Sequence, residues 1–146
     1  VDDENSSNVW GAFRCAQRAR TIIKKDGPAV FAIEHDGYLS KGMNCNRCFT
    51  CNENSFEIED SVLGQNKSKV EAFFHLSPDV QLVSVEDNRV VTDRAVFIFE
   101  GHHSLHLSCA DVATEYNLLS PAQCIQVCFT DKLHTTINGF GAILGN

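Results

Sequence analysis

Long apolar runs are missing from this 146-residue chain. No stretch reaches the roughly 18 consecutive apolar residues that a membrane-crossing helix needs, so no helical membrane span is expected. The opening residues also lack the charged-then-apolar layout of a secretory leader. Positive charge is scarce: 12 Lys and Arg stand against 19 Asp and Glu, a net charge of -7. An acidic chain without a basic stripe repels polyanions at long range, which argues against bulk nucleic-acid binding. No phosphate-cradling glycine loop, GxSxG elbow, Rossmann fingerprint or HExxH occurs, and nucleotide and serine-hydrolase readings lapse with them. Neither an internal repeat nor a low-complexity segment stands out. Cysteine is present but odd in number, seven, so at least one thiol is unpaired within the molecule. The spacing is too sparse for a small disulfide scaffold and fits a reducing compartment or tolerated buried thiols. The only methionine is Met43 and the chain opens at Val1, which favours a piece of a longer polypeptide.

What the chain does contain is one domain's worth of apolar side chains, 43% of residues, arranged in short runs punctuated by Gly, Asn, Asp and Pro. No 11-residue window keeps a helical stripe, and the pattern predicts an all-β protein of about ten to twelve antiparallel strands. The clearest runs are 9–23, 29–35, 55–62, 69–76, 80–85, 90–92, 95–100, 105–109, 124–129 and 133–137. Asp87-Asn88 between two valine-rich runs predicts a tight hairpin with Asn88 at positive φ. Phe73, Phe74, Phe97, Phe99 and Phe129 are the core candidates, and a two-sheet β-sandwich is the economical way to bury them. Residues 1–8 and 139–146 are expected to be loose termini. The run 9–20 also carries good helix formers, Ala12, Ala16, Gln17 and Ala19, so propensity alone leaves it open.

Three segments carry a family resemblance: the run VWGAFRCAQRA from Val9 to Ala19, His35-Asp36-Gly37-Tyr38, and Phe74-His75-Leu76-Ser77-Pro78-Asp79-Val80. In this order they resemble the C-terminal β-domain of heparinase II/III-like polysaccharide lyases, and the resemblance runs from Val1 to about Ile137. It tips the run 9–20 to strand. It implies a β-sandwich supporting an upstream α/α-toroid, in usually bacterial, periplasmic or secreted enzymes; the cysteine usage keeps a cytoplasmic location open. The implied reaction is β-elimination at a uronate of an acidic polysaccharide, such as a glycosaminoglycan, alginate-like polymer or capsule. Such a reaction needs a base, a group neutralising the carboxylate and an acid for the leaving oxygen. The resemblance places tyrosine and histidine for this on the toroid side, and a further histidine segment just ahead of Val1. This chain alone is then not expected to be catalytic. One departure is Asn46-Arg47-Cys48, which keeps a single arginine where the family often has an Arg-rich strand.

Within the chain, His35 and Tyr38 are the local acid/base candidates, since an imidazole titrates near neutrality and a phenol donates to a leaving oxygen. A strand end turning at Asp36-Gly37 explains the same residues without chemistry. Arg14 and Arg18 lie four apart, hence on one face of an extended strand, with Arg20 continuing it, and a guanidinium fork suits carboxylate or sulfate. Trp10 is positioned to stack on a sugar. Trp10, Arg14, Arg18 and Tyr38 are thus the substrate-binding candidates, against the plainer reading of a solvated face and a packing anchor.

Cys45-x-x-Cys48-x-x-Cys51 looks like half of a zinc or iron-sulfur site, although a fourth ligand is needed and the three do not share one strand face. Candidates for the fourth are His35, Cys15, Cys109, Cys124 and Cys128. His102-His103-x-x-His106 offers two ligands at most from one face. Glu57 and Glu59 alternate with Phe56 and Ile58 as a solvent face does. No cofactor is expected in this chain, with a divalent metal open for the parent. Two other functions stay in view: a stand-alone carbohydrate-binding module, and a structural metal or redox domain built on the cysteine cluster.

Overall fold

Alternation of apolar and polar residues builds this fold, and Val70–His75 shows how: Val70, Ala72 and Phe74 are buried while Phe73 and His75 are exposed. The computed structural model describes residues 1–11, 14–64 and 68–139. Eleven strands occur among them: β1 Asn8–Gly11, β2 Arg14–Ala16, β3 Thr21–Asp26, β4 Val30–His35, β5 Met43–Cys51, β6 Ser55–Gly64, β7 Val70–His75, β8 Leu82–Glu86, β9 Arg89–Thr92, β10 Val96–Glu115 and β11 Leu118–Asn138. A single 3-10 turn, Leu39–Lys41, sits between β4 and β5. Every pairing is antiparallel.

The expected β-sandwich is present, and two long strands make it. β10 and β11 run 20 and 21 residues and serve both layers. In the first layer, with strand order β3-β4-β5-β6-β11-β10-β9-β8, β11 uses residues 132–138 against β6. In the second layer residues 124–129 of the same strand pair with β7. The fold-over lies between these stretches, where the β10–β11 register slips at Glu100/His102. Gly101 occupies the slip with φ +85°, and a Cβ there would stand 2.6 Å from the Lys132 carbonyl oxygen. Only glycine fits. The layers then meet face to face: the Phe74 ring of β7 lies 5.4 Å from the Phe99 ring of β10. Phe99, Ile125, Val127 and Leu133 are fully buried between them. Each side chain of this kind contributes roughly 1.5–3 kcal/mol of burial free energy.

Several expectations change. The run 9–23 is not one strand: β1 and β2 fold back on each other as a separate hairpin, and Gln17 after them takes φ +48°. The side chains of Asn8 and Gln17 close this fold with a 2.7 Å hydrogen bond, a local solution that period-2 counting does not anticipate. Ala12 and Phe13, within the VWGAFR motif, lie outside the described residues. The runs 95–100 and 105–109 are one strand, as are 124–129 and 133–137, because the bend is absorbed without breaking the ladder. β5 was absent from the clearest runs; its polar residues hid a central strand. Phe73 is 47% exposed, on the outer face of β7, whereas Phe74, Phe97, Phe99 and Phe129 are buried as expected. The Asp87-Asn88 hairpin forms, but neither residue is among those with positive φ. Nor are residues 1–8 loose. Val1 is buried, the Asp2 amide donates to the Lys69 carbonyl at 2.9 Å, and Lys41 lies 3.1 Å from Glu4. Of the other expected loose end, residues 140–146 lie outside the described residues.

Candidate functional site

A row of two clefts and a cavity crosses the end of the sandwich where β4 stops and β5 begins. Its outer part is a cleft of about 390 Å³ lined by Trp10, Val9 and the polar residues Glu4, Asn5, Ser7 and Asn8. Those four polar residues also wall a middle cleft of about 340 Å³, together with Gln17, Arg18, Asp36, Tyr38 and Lys41. Ser6 and Tyr38 stand between this cleft and an inter-sheet cavity of about 290 Å³. His35, Cys45, Arg47 and Asp60 from the first layer line that cavity, facing Val70, Ala72 and Phe129 of the second.

Local structure explains the placement. β4 ends at His35, and Asp36 caps the turn by accepting from the Arg20 amide at 2.6 Å. This draws the segment after β2 alongside the turn, and Ser7 accepts from the Ala19 amide at 2.9 Å. Gly37 is pressed against Ser6 and Ala19, where a Cβ would come within 2.6 Å of Ser6 Cβ. Tyr38 then crosses to the opening segment: its hydroxyl donates to the Glu4 carbonyl at 3.0 Å, and the Val1 nitrogen donates to it at 3.2 Å.

Inside the cavity the strand register sets the partners. His35 of β4 stands opposite Cys45 of β5, and Arg47 of β5 stands opposite Asp60 of β6. The Arg47 fork donates from Nε to Asp60 Oδ1 at 2.6 Å and from Nη2 to Oδ2 at 2.9 Å. Its guanidinium also lies 5.7 Å from the centre of the Phe74 ring. His35 Nδ1 accepts from the Gly37 amide at 3.3 Å, so in the neutral ring the proton sits on Nε2. Burial pushes the His35 imidazole below its ordinary value, with the Arg47 charge adding to the effect and Asp36 opposing it. The same burial pushes the Tyr38 phenol and the Cys45 thiol up. All three are neutral near pH 7.

Of the residues singled out from sequence, Trp10 lines the outer cleft, Arg18 and Tyr38 the middle one, and His35, with Tyr38, the inter-sheet cavity. Trp10 is 62% exposed. Arg14 is on β2, exposed, and is not among the residues lining the clefts. The shared strand face expected for Arg14 and Arg18 does not form, because the chain leaves β2 at Ala16 and turns at Gln17. Cys45, Cys48 and Cys51 all lie on β5, but opposite Val62, Glu59 and Phe56, respectively. Among the described residues no three His, Cys, Asp or Glu side chains gather as a metal site, and all seven cysteines are free thiols. His102 and His103 instead bond to the Asp87 carbonyl and the Thr130 hydroxyl. Asp60, set aside from sequence with Glu57 and Glu59 as a solvent-face carboxylate, is instead buried on the inner face of Ile58. Sequence reasoning also passed over Lys41, which the 3-10 turn places on the cleft. The alternation Phe56-Ile58-Asp60 was the available signal for Asp60.

The fold is thus a two-layer antiparallel β-sandwich with polar clefts at one end. The chain belongs to the heparinase II/III-like C-terminal family, whose family model matches residues 1–139. The heparan sulfate lyase HepC from Pedobacter heparinus superposes with a TM-score of 0.62 at 15% identity, over 84% of this chain and 22% of that one. A heparinase III, the BT4657 gene product, does so with a TM-score of 0.61 at 16% identity, over 81% and 21%. At such identities the likeness is one of fold. The chain spans about a fifth of the length of these lyases. No curated protein matches it significantly by sequence.

Proposed function

We propose that this chain is the C-terminal β-sandwich of a polysaccharide lyase, which supports a catalytic α/α-toroid and lines a cleft for an acidic polysaccharide. The observation that carries the reading is the pair of adjoining clefts, the outer one lined by Trp10 and the middle one by Arg18 and Tyr38, in a chain of the heparinase II/III-like family. Hydroxyl, amide and cationic side chains along them match the hydroxyls and carboxylates of a uronate polymer. Arg18 supplies positive charge, Lys41 being paired with Glu4 and Asp2, and the exposed Trp10 face offers stacking.

The parent reaction in this reading is β-elimination at a uronate. A base removes the proton beside the carboxylate, paired charge tolerates the carbanion, and an acid protonates the leaving oxygen. The groups in this chain are poorly suited to the proton transfers. Tyr38 is held as a neutral phenol and its hydroxyl is occupied by Glu4 and Val1, while His35 lies within the inter-sheet cavity. In this reading catalysis belongs to the toroid side, and this chain walls the cleft and buttresses the toroid. A periplasmic or secreted location goes with this role.

The test is the rise in ultraviolet absorbance from unsaturated uronate ends, measured on heparan sulfate, chondroitin sulfate and alginate. The parent polypeptide is expected to produce it on at least one polymer, and the 146 residues alone on none. Elimination by the isolated chain refutes the division of labour. Calorimetry of the isolated chain against oligosaccharides of the same polymers separates a self-sufficient binding module, which binds tightly by itself, from a cleft wall, which does not.

A further inference from the structure

The wall of the inter-sheet cavity has an imbalance of hydrogen-bonding groups. Strand alternation turns Asn46, Ser61 and Glu71 to the outer faces, which leaves Ser6, His35, Tyr38, Cys45, Arg47 and Asp60 as the polar side chains on the inside. The Asp60 carboxylate, the sole strong acceptor, is already clasped through both oxygens by Arg47. The Tyr38 hydroxyl already donates its hydrogen bond to the Glu4 carbonyl. What remains is donors. His35 carries its proton on Nε2, because Nδ1 accepts from Gly37, and Nε2 has no hydrogen-bond partner among the described residues. The Cys45 thiol makes no hydrogen bond among the described residues, and burial keeps it protonated. Two of the five guanidinium N–H groups of Arg47 are committed to Asp60.

Charge and shape narrow the occupant further. Arg47 and Asp60 cancel, His35, Tyr38 and Cys45 are neutral, and the Val1 ammonium is engaged by the Glu4 carbonyl and the Tyr38 hydroxyl, so no uncommitted charge is left to offset the cost of burying an ion. Ile33, Val62, Val70, Ala72 and Phe129 make the rest of the wall apolar. Ser6 and Tyr38 form the wall that the cavity shares with the middle cleft.

We propose that the inter-sheet cavity is a binding site for a small uncharged group that presents a carbonyl oxygen to His35 and Cys45 and an apolar end to Val70, Ala72 and Phe129. An amide with a short alkyl group has this chemistry. The site does not depend on the lyase reading, since it rests on the cavity wall alone.

The test is a titration of the whole chain, followed by amide NMR shifts, with acetamide, acetate and methylammonium as separate probes. Acetamide is expected to shift the amides around His35, Cys45 and Ala72 saturably, while acetate and methylammonium leave them in place. His35→Phe, which keeps the ring and removes the donor, is expected to weaken acetamide at least tenfold. Cys45→Ala, a smaller change, is expected to weaken it about threefold, and it keeps the test informative should the His35 variant not fold. No saturable shift with acetamide means a cavity holding water only and overturns the proposal. Acetate binding as tightly overturns the assignment of an uncharged ligand, and unchanged affinity in both variants overturns the assignment of the donors.

Discussion

Arg47 and Asp60 face each other across β5 and β6, joined by two parallel hydrogen bonds of 2.6 and 2.9 Å, with Phe74 of the opposite layer under the guanidinium. The pair ties the first layer to itself and, through Phe74, to the second. The carboxylate is the more enclosed partner, 10% exposed against 32% for the arginine.

Removing the carboxylate leaves a half-buried cation without its partner. Asp60→Ala is expected to cost about 2–3 kcal/mol, less than the roughly 3–5 for a fully buried pair because solvent reaches the arginine. Replacing both, Arg47→Met with Asp60→Leu, is expected to recover most of that loss. Urea unfolding of the two variants checks it, and equal losses in the single and double variants would contradict the pairing.

His35 makes stability depend on pH. Its folded-state value is lowered from 6.5 by burial, so below about pH 6.5 the unfolded chain takes up the proton first. The His35 contribution is therefore whole above that pH and is lost as pH falls from there through the lower folded value. Melting temperature measured from pH 8 to 5 is expected to fall more steeply in the native chain than in His35→Gln. Parallel curves for the two would show that the imidazole is not the group responsible.

Gly101 and Gly42 both have positive φ, +85° and +72°, but only Gly101 is crowded by backbone. Gly42→Ala meets open space and is expected to cost about 1 kcal/mol of left-handed strain. Gly101→Ala adds a collision with the Lys132 carbonyl at the fold-over and is expected to cost about 3 kcal/mol or more. Denaturant midpoints rank the two; a reversed order would place the bend elsewhere.

Phe74 and Phe99 meet across the layers, whereas Phe73 points outward. Phe99→Ala is expected to lose about 3–5 kcal/mol through lost burial and the cavity left behind. Phe73→Ser is expected to lose less than about 1 kcal/mol. Thermal unfolding of both variants distinguishes a two-layer core from a sheet in which the Phe73 face is covered.

The strands were legible where side chains alternate, as in Val70–His75, and the hairpin at Asp87-Asn88 followed from its flanking valines. β5 was not, because Asn44, Asn46 and Arg47 make a central strand look like a loop. The arginine is tolerated there only because Asp60 sits opposite, a register fact that a linear pattern does not contain. Arg14 and Arg18 failed as a pair for a related reason. Counting by fours presumes an extended strand, and the hydrogen bond from Asn8 to Gln17 folds that stretch back.

The sequence by itself determined the all-β class and the family, since period-2 alternation and short ordered motifs are local properties of the chain. It also set the acidic charge and excluded a helical membrane span. Tertiary structure alone decided how two strands of 20 and 21 residues bend at Gly101 to form both layers. It likewise decided that Trp10, Arg18, Tyr38 and His35 line neighbouring clefts at one end of the sandwich and that Arg14 does not. The physical reason is that register and fold-over depend on contacts between residues far apart in the chain, and the energies that choose among them are summed only when the layers close.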